Sequence, residues 1–214
     1  MRVTHLGHAC LLVESDDTRL LIDPGTYSAG FETLRDLDGI AVTHLHPDHV
    51  DPERFPALEE ANPGARLLIE PDTIDELALG PANVFAAGAV TSLGALRVGA
   101  VGGRHARNHD QVPPLGNVGL IVTDRGGRRL FHPGDSYDET PGDIAVLALP
   151  LNAPWCRMSE TLDFLRAVAP EVAIPIHDGL LSEPGHDAYL MHLEKFGPPG
   201  TTVRRLTAGE PFDA

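Results

Sequence analysis

The chain has few cysteine and lysine residues. It contains two cysteines, Cys10 and Cys156, and one lysine, Lys195. Neither cysteine lies in a Cys-x-x-Cys pair, which argues against a zinc knuckle and a redox dithiol. Both are therefore expected to be small, buried thiols in a reducing cytoplasm.

Long apolar runs are also missing. No stretch approaches the roughly 20 apolar residues that a membrane-spanning helix needs. The opening sequence, Met-Arg-Val-Thr-His, lacks the apolar core of a signal peptide. These two features predict a cytoplasmic protein that does not enter a membrane.

Positive charge is scarce. The sequence has 16 Lys and Arg residues against 31 Asp and Glu residues, which gives a formal net charge of −15. An acidic balance argues against a general affinity for nucleic acid or for anionic membranes. The length of 214 residues and the hydrophobic content of 42% suit one globular domain with a substantial core. We therefore assign residues 1–214 to a single domain.

Histidine, in contrast, is concentrated in one heptad. Residues 43–49 read Thr-His-Leu-His-Pro-Asp-His, and the apolar run Gly39–Val42 before them predicts a buried strand. At the end of a strand, His44 and His46 point the same way because the side-chain period is two. The heptad therefore places two imidazoles side by side.

The rest of the heptad adds two further metal-binding groups. Pro47 cannot donate a ladder hydrogen bond and forces a turn. The turn carries Asp48 and His49 to a neighbouring position. Imidazole and carboxylate groups suit zinc, iron or manganese, so the heptad predicts two adjacent metal sites. The alternative is a solvated polar loop.

Apolar runs and turn signals predict β-hairpins followed by strand–helix alternation in each half of the chain. The predicted strands are Cys10–Val13, Arg19–Ile22, Ile40–Thr43, Arg66–Ile69, Val84–Phe85, Ala89–Thr91, Leu96–Val101, Val118–Thr123, Leu130–Phe131, Ile144–Leu149, Val172–Ile176 and Thr202–Leu206. The predicted helices run from Asp51-Pro52 to Glu60, over Pro71–Leu79, from the cap Ser159 to before Pro170, and over Asp187–Phe196. Two such halves packed face to face give an α+β fold, a four-layer α-β-β-α sandwich.

Further candidate ligands follow three of these strands. His105, Asp135 and His177 each come after a β run and have glycine close by. Glycine lets the backbone turn tightly and approach a site closely. His109 is an alternative to His105, but His105 follows its strand directly, so we favour it as the ligand. His109 would then contact substrate or support a ligand.

The order of these motifs resembles the metallo-β-lactamase fold superfamily. The resemblance rests on the His-x-His-x-Asp-His heptad, on His105, on Asp135 in His-Pro-Gly-Asp, and on His177 in Ile-Pro-Ile-His-Asp-Gly. These motifs span most of the chain. Leu-Gly-His-Ala-Cys at 6–10, Leu-Ile-Asp-Pro at 21–24 and Ala-Pro-Trp at 153–155 are similar to the branch that includes ascorbate-6-phosphate lactonase.

The resemblance implies a site for two divalent metal ions, with zinc expected and manganese or iron as alternatives. The implied ligands are His44, His46 and His105 for the first ion, Asp48, His49 and His177 for the second, and Asp135 as a bridge. The implied activity is hydrolysis of a small ester, lactone or phosphorylated substrate by a metal-activated hydroxide. Asp48 would orient this nucleophile and accept a proton.

Five residues outside the ligand set are candidates for other roles. His8, in a Gly-His turn, would be a catalytic proton donor or a substrate contact, or a turn residue without a role. Asp23 would support the ligand loop or simply end a strand. Arg104 and Arg107 would bind an anionic substrate if they face the pocket, and are otherwise solvated. Trp155 would form a wall of the pocket or pack in the core.

Other functions use similar residues. An iron-dependent oxidoreductase, such as a mononuclear dioxygenase, can use the same ligand types. A nuclease is disfavoured by the acidic charge and the single-domain length. A non-catalytic binding protein is disfavoured by the complete ligand set. The expected partner is a small molecule, with no nucleic acid and no membrane, and a homo-oligomer is common in the family. Zinc or manganese would favour hydrolysis, and iron would favour redox chemistry.

Overall fold

Two β-sheets form the centre of the fold. The computed structural model describes residues 1–80 and 83–214. Within these residues the strands are β1 Arg2–Gly7, β2 Cys10–Ser15, β3 Thr18–Ile22, β4 Gly39–Val42, β5 Arg66–Ile69, β6 Val90–Leu93, β7 Leu96–Gly102, β8 Val118–Thr123, β9 Arg129–His132, β10 Val146–Pro150, β11 Val172–Ile176, β12 Thr202–Val203 and β13 Pro211–Asp213. The α-helices are α1 Phe55–Ala61, α2 Pro71–Glu76, α3 Met158–Val168 and α4 Glu183–Phe196.

Both sheets change from antiparallel to parallel pairing. The first sheet has the order β13-β1-β2-β3-β4-β5, and its strands are antiparallel up to β3 and parallel from β3 to β5. The second has the order β12-β11-β10-β9-β8-β7-β6, antiparallel from β6 to β9 and parallel from β9 to β12. Parallel strands carry their carboxyl ends to one edge of a sheet, where loops can build a site.

The core has three apolar layers. Along β2, Leu11 and Val13 pack between the sheets, while Leu12 faces α1 and α2 because side chains alternate along a strand. On the other side of the molecule, Phe164 and Leu165 of α3 pack against the outer face of the second sheet. The order of layers is therefore helix, sheet, sheet, helix, and the predicted α-β-β-α sandwich is confirmed.

Several predicted helix ends were wrong. Helix α1 begins at Phe55 because the Asp51 carboxylate accepts the backbone N–H groups of Glu53 and Arg54, which forms a turn before the helix. Helix α3 has Arg157 rather than Ser159 as its cap. Helix α4 begins at Glu183, one turn earlier than predicted, with a proline in its first turn. Helix α2 ends at Glu76.

Short strands were also predicted imperfectly. Val84 forms only an isolated bridge with Ile69, and β12 ends at Val203 instead of Leu206. Strand β13 was not predicted, because three residues are too few for a periodic pattern. It pairs with β1 and closes the first sheet next to the N-terminus. In the described residues, no helix has the length and apolar character of a membrane span.

Candidate metal centre

Strand ends from both sheets meet at the candidate site. Strand β4 of the first sheet leads directly into Thr43 and His44. Strand β9 of the second sheet leads through a Pro-Gly turn to Asp135, and β11 leads to His177. The site therefore lies at the carboxyl ends of parallel strands and needs both sheets to be assembled.

The seven predicted ligands fall into two compact groups. Within each group the nitrogen and oxygen atoms that could hold a metal lie within 4.8 Å of one another. The groups are His44, His46, His105 and Asp135, and His8, Asp48, His49 and His177. His8, which the resemblance did not place among the ligands, also lies in the second group.

His105, and not His109, reaches this centre. His105 is buried and belongs to the first group. His109 is exposed on the loop after β7, where its Nδ1 accepts the backbone N–H of Gln111 at 3.2 Å. The loop turns away from the centre within four residues, which separates the two histidines.

Asp135 contacts both groups. Its Oδ1 lies 3.1 Å from His49 Nε2. Its Oδ2 lies 3.5 Å from His105 Nε2 and 3.2 Å from His177 Nε2. One carboxylate thus stands between histidines of the two groups, which is the position that a bridging ligand needs.

The outer nitrogens of three histidines are fixed by hydrogen bonds. Nδ1 of His49 donates to Asp23 Oδ2 at 2.7 Å, Nδ1 of His105 to the Ala106 carbonyl at 2.5 Å, and Nδ1 of His177 to the Asn152 carbonyl at 2.7 Å. These oxygens only accept hydrogen bonds, so each Nδ1 carries the proton in the neutral ring. Each Nε2 then directs a lone pair into the centre.

The inner atoms of the centre are buried but lack hydrogen bonds. This holds for Nε2 of His49, His105 and His177 and for Oδ1 of Asp135. Buried polar atoms without partners are costly and need an explanation. Ligand atoms of a tetrahedral zinc lie about 3.3 Å apart, and the Asp135 oxygens lie 3.1 to 3.5 Å from the Nε2 atoms of His49 and His105. The residues therefore fit divalent metal ions.

The charge states of the apoprotein differ among the residues of the centre. Burial and the neighbouring His49 hold the pKa of His44 well below its usual value, so this ring is neutral and able to bind metal. Burial opposes ionisation of Asp135, but the surrounding histidines hold its pKa well below the usual range. Burial would also lower the pKa of His49, but the carboxylates of Asp135 and Asp23 hold it well above its usual value.

Asp23 holds the loop of residues 43–49 in place through hydrogen bonds. It is fully buried, its Oδ1 accepts the backbone N–H of Thr43 at 2.8 Å, and its Oδ2 accepts the Thr43 hydroxyl at 2.7 Å. Oδ2 also accepts the Nδ1–H of His49. The Thr43 hydroxyl lies 3.1 Å from His44 Nδ1. A single carboxylate thus orients one histidine directly and a second through Thr43.

His8 lies against Asp48 and not in the large cleft described below. Its Nδ1 accepts the backbone N–H of Gly179 at 3.1 Å, so the proton is on Nε2. The Nε2–H donates to Asp48 Oδ2 at 3.1 Å. Burial would raise the pKa of Asp48, but the nearby His177 ring and the hydrogen bond from His8 hold this pKa well below its usual value.

Three residues of the centre have left-handed backbone conformations. The φ angles are +51° at His8, +49° at Asp23 and +55° at His177. Residues with a side chain rarely adopt this region. Here it turns the chain sharply, so that each side chain leaves the end of its strand toward the centre.

Sequence reasoning missed the residues that fix the turns. Asn117 accepts the backbone N–H of Asp135 at 3.0 Å and donates to the Pro133 carbonyl at 2.9 Å. A methyl group at Gly134, where φ is +61°, would overlap the Asn117 side chain, and one at Gly25 would overlap the Asp48 carbonyl. Nothing in the local sequence distinguishes Asn117 from an ordinary polar loop residue, whereas both glycines stand in visible turn motifs.

A cleft of about 990 Å³ opens beside His46 and His105. The loop after β7 forms one side of the cleft and α3 contributes to the other. Arg104 and Arg107 both line the cleft, which is the position that binding of an anionic substrate needs. Arg107 pairs with Asp110 at 2.8 Å. Arg104 is exposed and has no ion-pair partner in residues 1–80 and 83–214.

Comparison with known proteins shows the family of this chain. The chain matches the β-lactamase superfamily domain over residues 2–177, and it belongs to this family. It is 45% identical over 190 residues to Protein Rv0786c of Mycobacterium tuberculosis, across 88% of this chain and 89% of that protein. It is 25% identical over 195 residues to a UPF0173 metal-dependent hydrolase of Pyrococcus abyssi, across 83% and 84% of the two chains. The predicted class, a metallo-hydrolase of this superfamily, is confirmed.

Solved structures share the fold. A metal-dependent hydrolase from Parabacteroides distasonis superposes with a TM-score of 0.75 at 24% identity, over 95% of this chain and 91% of that chain. CmlA, a diiron β-hydroxylase from Streptomyces venezuelae, gives 0.70 at 17% identity, over 96% of this chain and 52% of that chain. The fold alone therefore does not choose between hydrolysis and iron chemistry. The resemblance to the ascorbate-6-phosphate lactonase branch stays a prediction.

Proposed function

We propose that this chain is a hydrolase that uses two divalent metal ions on a small anionic ester, lactone or phosphorylated substrate. The position of Asp135 between the two histidine groups carries this proposal. Zinc is the expected metal, with manganese or iron as alternatives. In this proposal the ligands are His44, His46 and His105 for one ion, Asp48, His49 and His177 for the other, and Asp135 for both.

The two carboxylates of the centre are placed for different tasks. A bound pair of divalent ions would supply an activated water and polarise the oxygen of the scissile bond. The side chain of Asp48 is 23% exposed, so it can take up a proton and pass it to solvent. The side chain of Asp135 is only 4% exposed, which suits a structural ligand. His8 holds the Asp48 carboxylate through its Nε2–H.

Metal content is the first test of this proposal. Protein produced without added metal should contain close to two zinc or manganese ions per chain, because both ligand groups are preformed. Prolonged dialysis against a chelator should remove the metal together with hydrolysis of lactones and phosphoesters, and returning zinc should restore both. About one iron per chain would instead support the dioxygenase alternative. A folded protein that takes up no metal would contradict the proposal.

An anionic substrate is favoured by the free guanidinium of Arg104. Arginine matches carboxylate and phosphate groups bidentately. Because Arg107 already pairs with Asp110, Arg104 is the better candidate of the two for this contact. The overall charge of −15 would repel anions, so a local positive group at the cleft would be needed to bind one.

Arg104→Ala should raise KM for an anionic substrate about ten-fold, because a charge-assisted hydrogen bond is lost. The kcat should change little, since Arg104 does not contact the ligand groups. Steady-state kinetics of a phosphorylated or carboxylated ester and of its neutral analogue would measure this. Arg97→Ala, which removes an exposed arginine outside the cleft lining, is the matched control. An equal rise of KM for the neutral analogue would contradict an anion contact.

We also propose that the chain forms a single domain and is located in the cytoplasm. Apolar residues of both sheets share one core, which supports a single domain over residues 1–214. Cys10 is a buried free thiol, and Cys156, which the sequence analysis expected to be buried, is a half-buried free thiol. Free thiols suit the reducing cytoplasm. A small molecule is the partner that the cleft and the acidic charge favour, rather than nucleic acid.

A further inference from the structure

A row of aromatic rings leads from the metal centre into the cleft. Trp155 meets His105 edge to face, with ring centroids 6.4 Å apart. Tyr137 meets Trp155 at 4.9 Å, and Phe164 stacks on Tyr137 at 4.5 Å. All three aromatic residues line the cleft. A row of three aromatic rings therefore runs along the cleft from the candidate metal ligand His105 to helix α3, whose exposed Glu160 and Asp163 also line the cleft.

The loop after β7 also contributes apolar side chains to the lining of the cleft. Val112 and Leu115, with two prolines between them, lie on this loop. Val112 is 47% exposed although it is a large apolar residue. Leaving such a side chain in water forgoes the stabilisation that burial would give. An apolar group bound in the cleft would cover it, together with the aromatic wall.

Trp155 also has a polar contact with the centre. Its indole N–H donates to Asp135 Oδ2 at 2.8 Å. The same oxygen lies near His105 and His177. The ring of Trp155 faces the cleft while its nitrogen fixes the carboxylate that stands between the two histidine groups. A tryptophan combines these two properties because it is a large apolar ring with one donor.

We propose that Trp155 is the inner wall of a subsite for an apolar group next to the scissile bond, and the positioning residue for Asp135. This inference rests on the proposed function and narrows its substrate. With Arg104 at the same cleft, the substrate is an amphipathic anion whose acyl or aryl group packs on Trp155. An apolar cleft with a few polar groups is the usual form of a small-molecule site.

The positioning role can be followed by fluorescence, because Trp155 is the only tryptophan of the chain. Zinc added to the metal-free protein should change the indole emission until the site is saturated. Trp155→Phe keeps an aromatic ring but loses the N–H. Its zinc affinity, measured by competition with a chromophoric chelator, should fall about ten-fold, as for other residues that orient metal ligands.

Tyr137→Phe is the matched control for zinc affinity. Tyr137 donates its hydroxyl to the Pro150 carbonyl and does not contact Asp135, so the variant should bind zinc as the wild type does. Wild-type zinc affinity in Trp155→Phe, or an indole emission that does not respond to zinc in a protein that binds it, would overturn the positioning role.

The apolar subsite is tested separately with phenylacetate and acetate. Calorimetric titration should show about ten-fold tighter binding of phenylacetate to the wild type, because the phenyl group is buried against Trp155. Trp155→Phe should keep this preference, and Trp155→Ala should lose it. Equal binding of the two anions by the wild type, or an unchanged preference in Trp155→Ala, would overturn the subsite.

The two proposals can fail independently. The titrations are made with metal-free and with zinc-loaded protein. If the wild type takes up no metal, the proposed function fails, but a preference for phenylacetate in the metal-free protein still supports the subsite. If zinc binds at two ions per chain and neither preparation prefers phenylacetate, the hydrolase proposal stands and the subsite is wrong.

Discussion

Replacing Asp135 with alanine should lower turnover by about three orders of magnitude or more, because the change removes the ligand that we propose both ions share, and with it several kcal/mol of metal-dependent stabilisation. The variant should also bind less than the full two metal ions per chain. Both effects follow from the contacts of its two oxygens with His49, His105 and His177. Metal analysis and steady-state kinetics of the same preparation would measure them.

Asp187→Asn is the matched control for this variant. Asp187 is exposed at the start of α4, and its replacement removes the same charge without touching the centre. It should leave metal content and turnover unchanged. If Asp135→Ala kept two ions per chain and wild-type turnover, the bridging role would be wrong, and each group would have to hold its ion without a shared ligand.

Asp23→Ala should have the largest effect on stability. The change leaves the backbone N–H and hydroxyl of Thr43 and the Nδ1–H of His49 without their buried acceptor. Breaking a buried charge pair of this kind costs about 3–5 kcal/mol of unfolding free energy. Metal affinity should also fall about 10–100-fold, because the orientation of His49 is no longer fixed.

Denaturant unfolding of the metal-free protein separates the two effects of Asp23→Ala, since no bound ion then contributes to stability. Asp16→Asn, in the exposed turn between β2 and β3, is the control and should unfold like the wild type. A stability within about 0.5 kcal/mol of the wild type for Asp23→Ala would show that Thr43 and His49 find other acceptors, against the arrangement described for this carboxylate.

The sequence predicted the site better than it predicted some of the elements around it. Ligand candidates could be found because each follows a short apolar run, and the ends of parallel strands are brought together in this fold. The same reason favours His105 over His109, and the structure places His105 in the centre. Helix α1, in contrast, begins later than predicted. The Asp51 carboxylate accepts the backbone N–H groups of Glu53 and Arg54, which forms a turn before the helix.

Contacts between distant segments could not be predicted from periodicity. Asn117 and Asp135 are 18 residues apart, and Trp155 reaches Asp135 across 20 residues. Such pairs depend on how loops fold back over the sheet edges, and a single sequence carries no local pattern for that. The sequence leaves Trp155 open between pocket wall and core, and no local pattern in it indicates the hydrogen bond to Asp135.

The left-handed backbone of His8, Asp23 and His177 lowers the stability of the folded chain, and in return it fixes the direction of each side chain at this centre. Each such residue costs roughly 1–2 kcal/mol relative to a relaxed conformation, and the same residues also border four buried atoms that lack hydrogen bonds. A ligand that binds only the folded chain offsets this cost by mass action. The metal-free protein would therefore open first at these strand ends, so that the part of the molecule most dependent on its ions would also be the part through which they exchange.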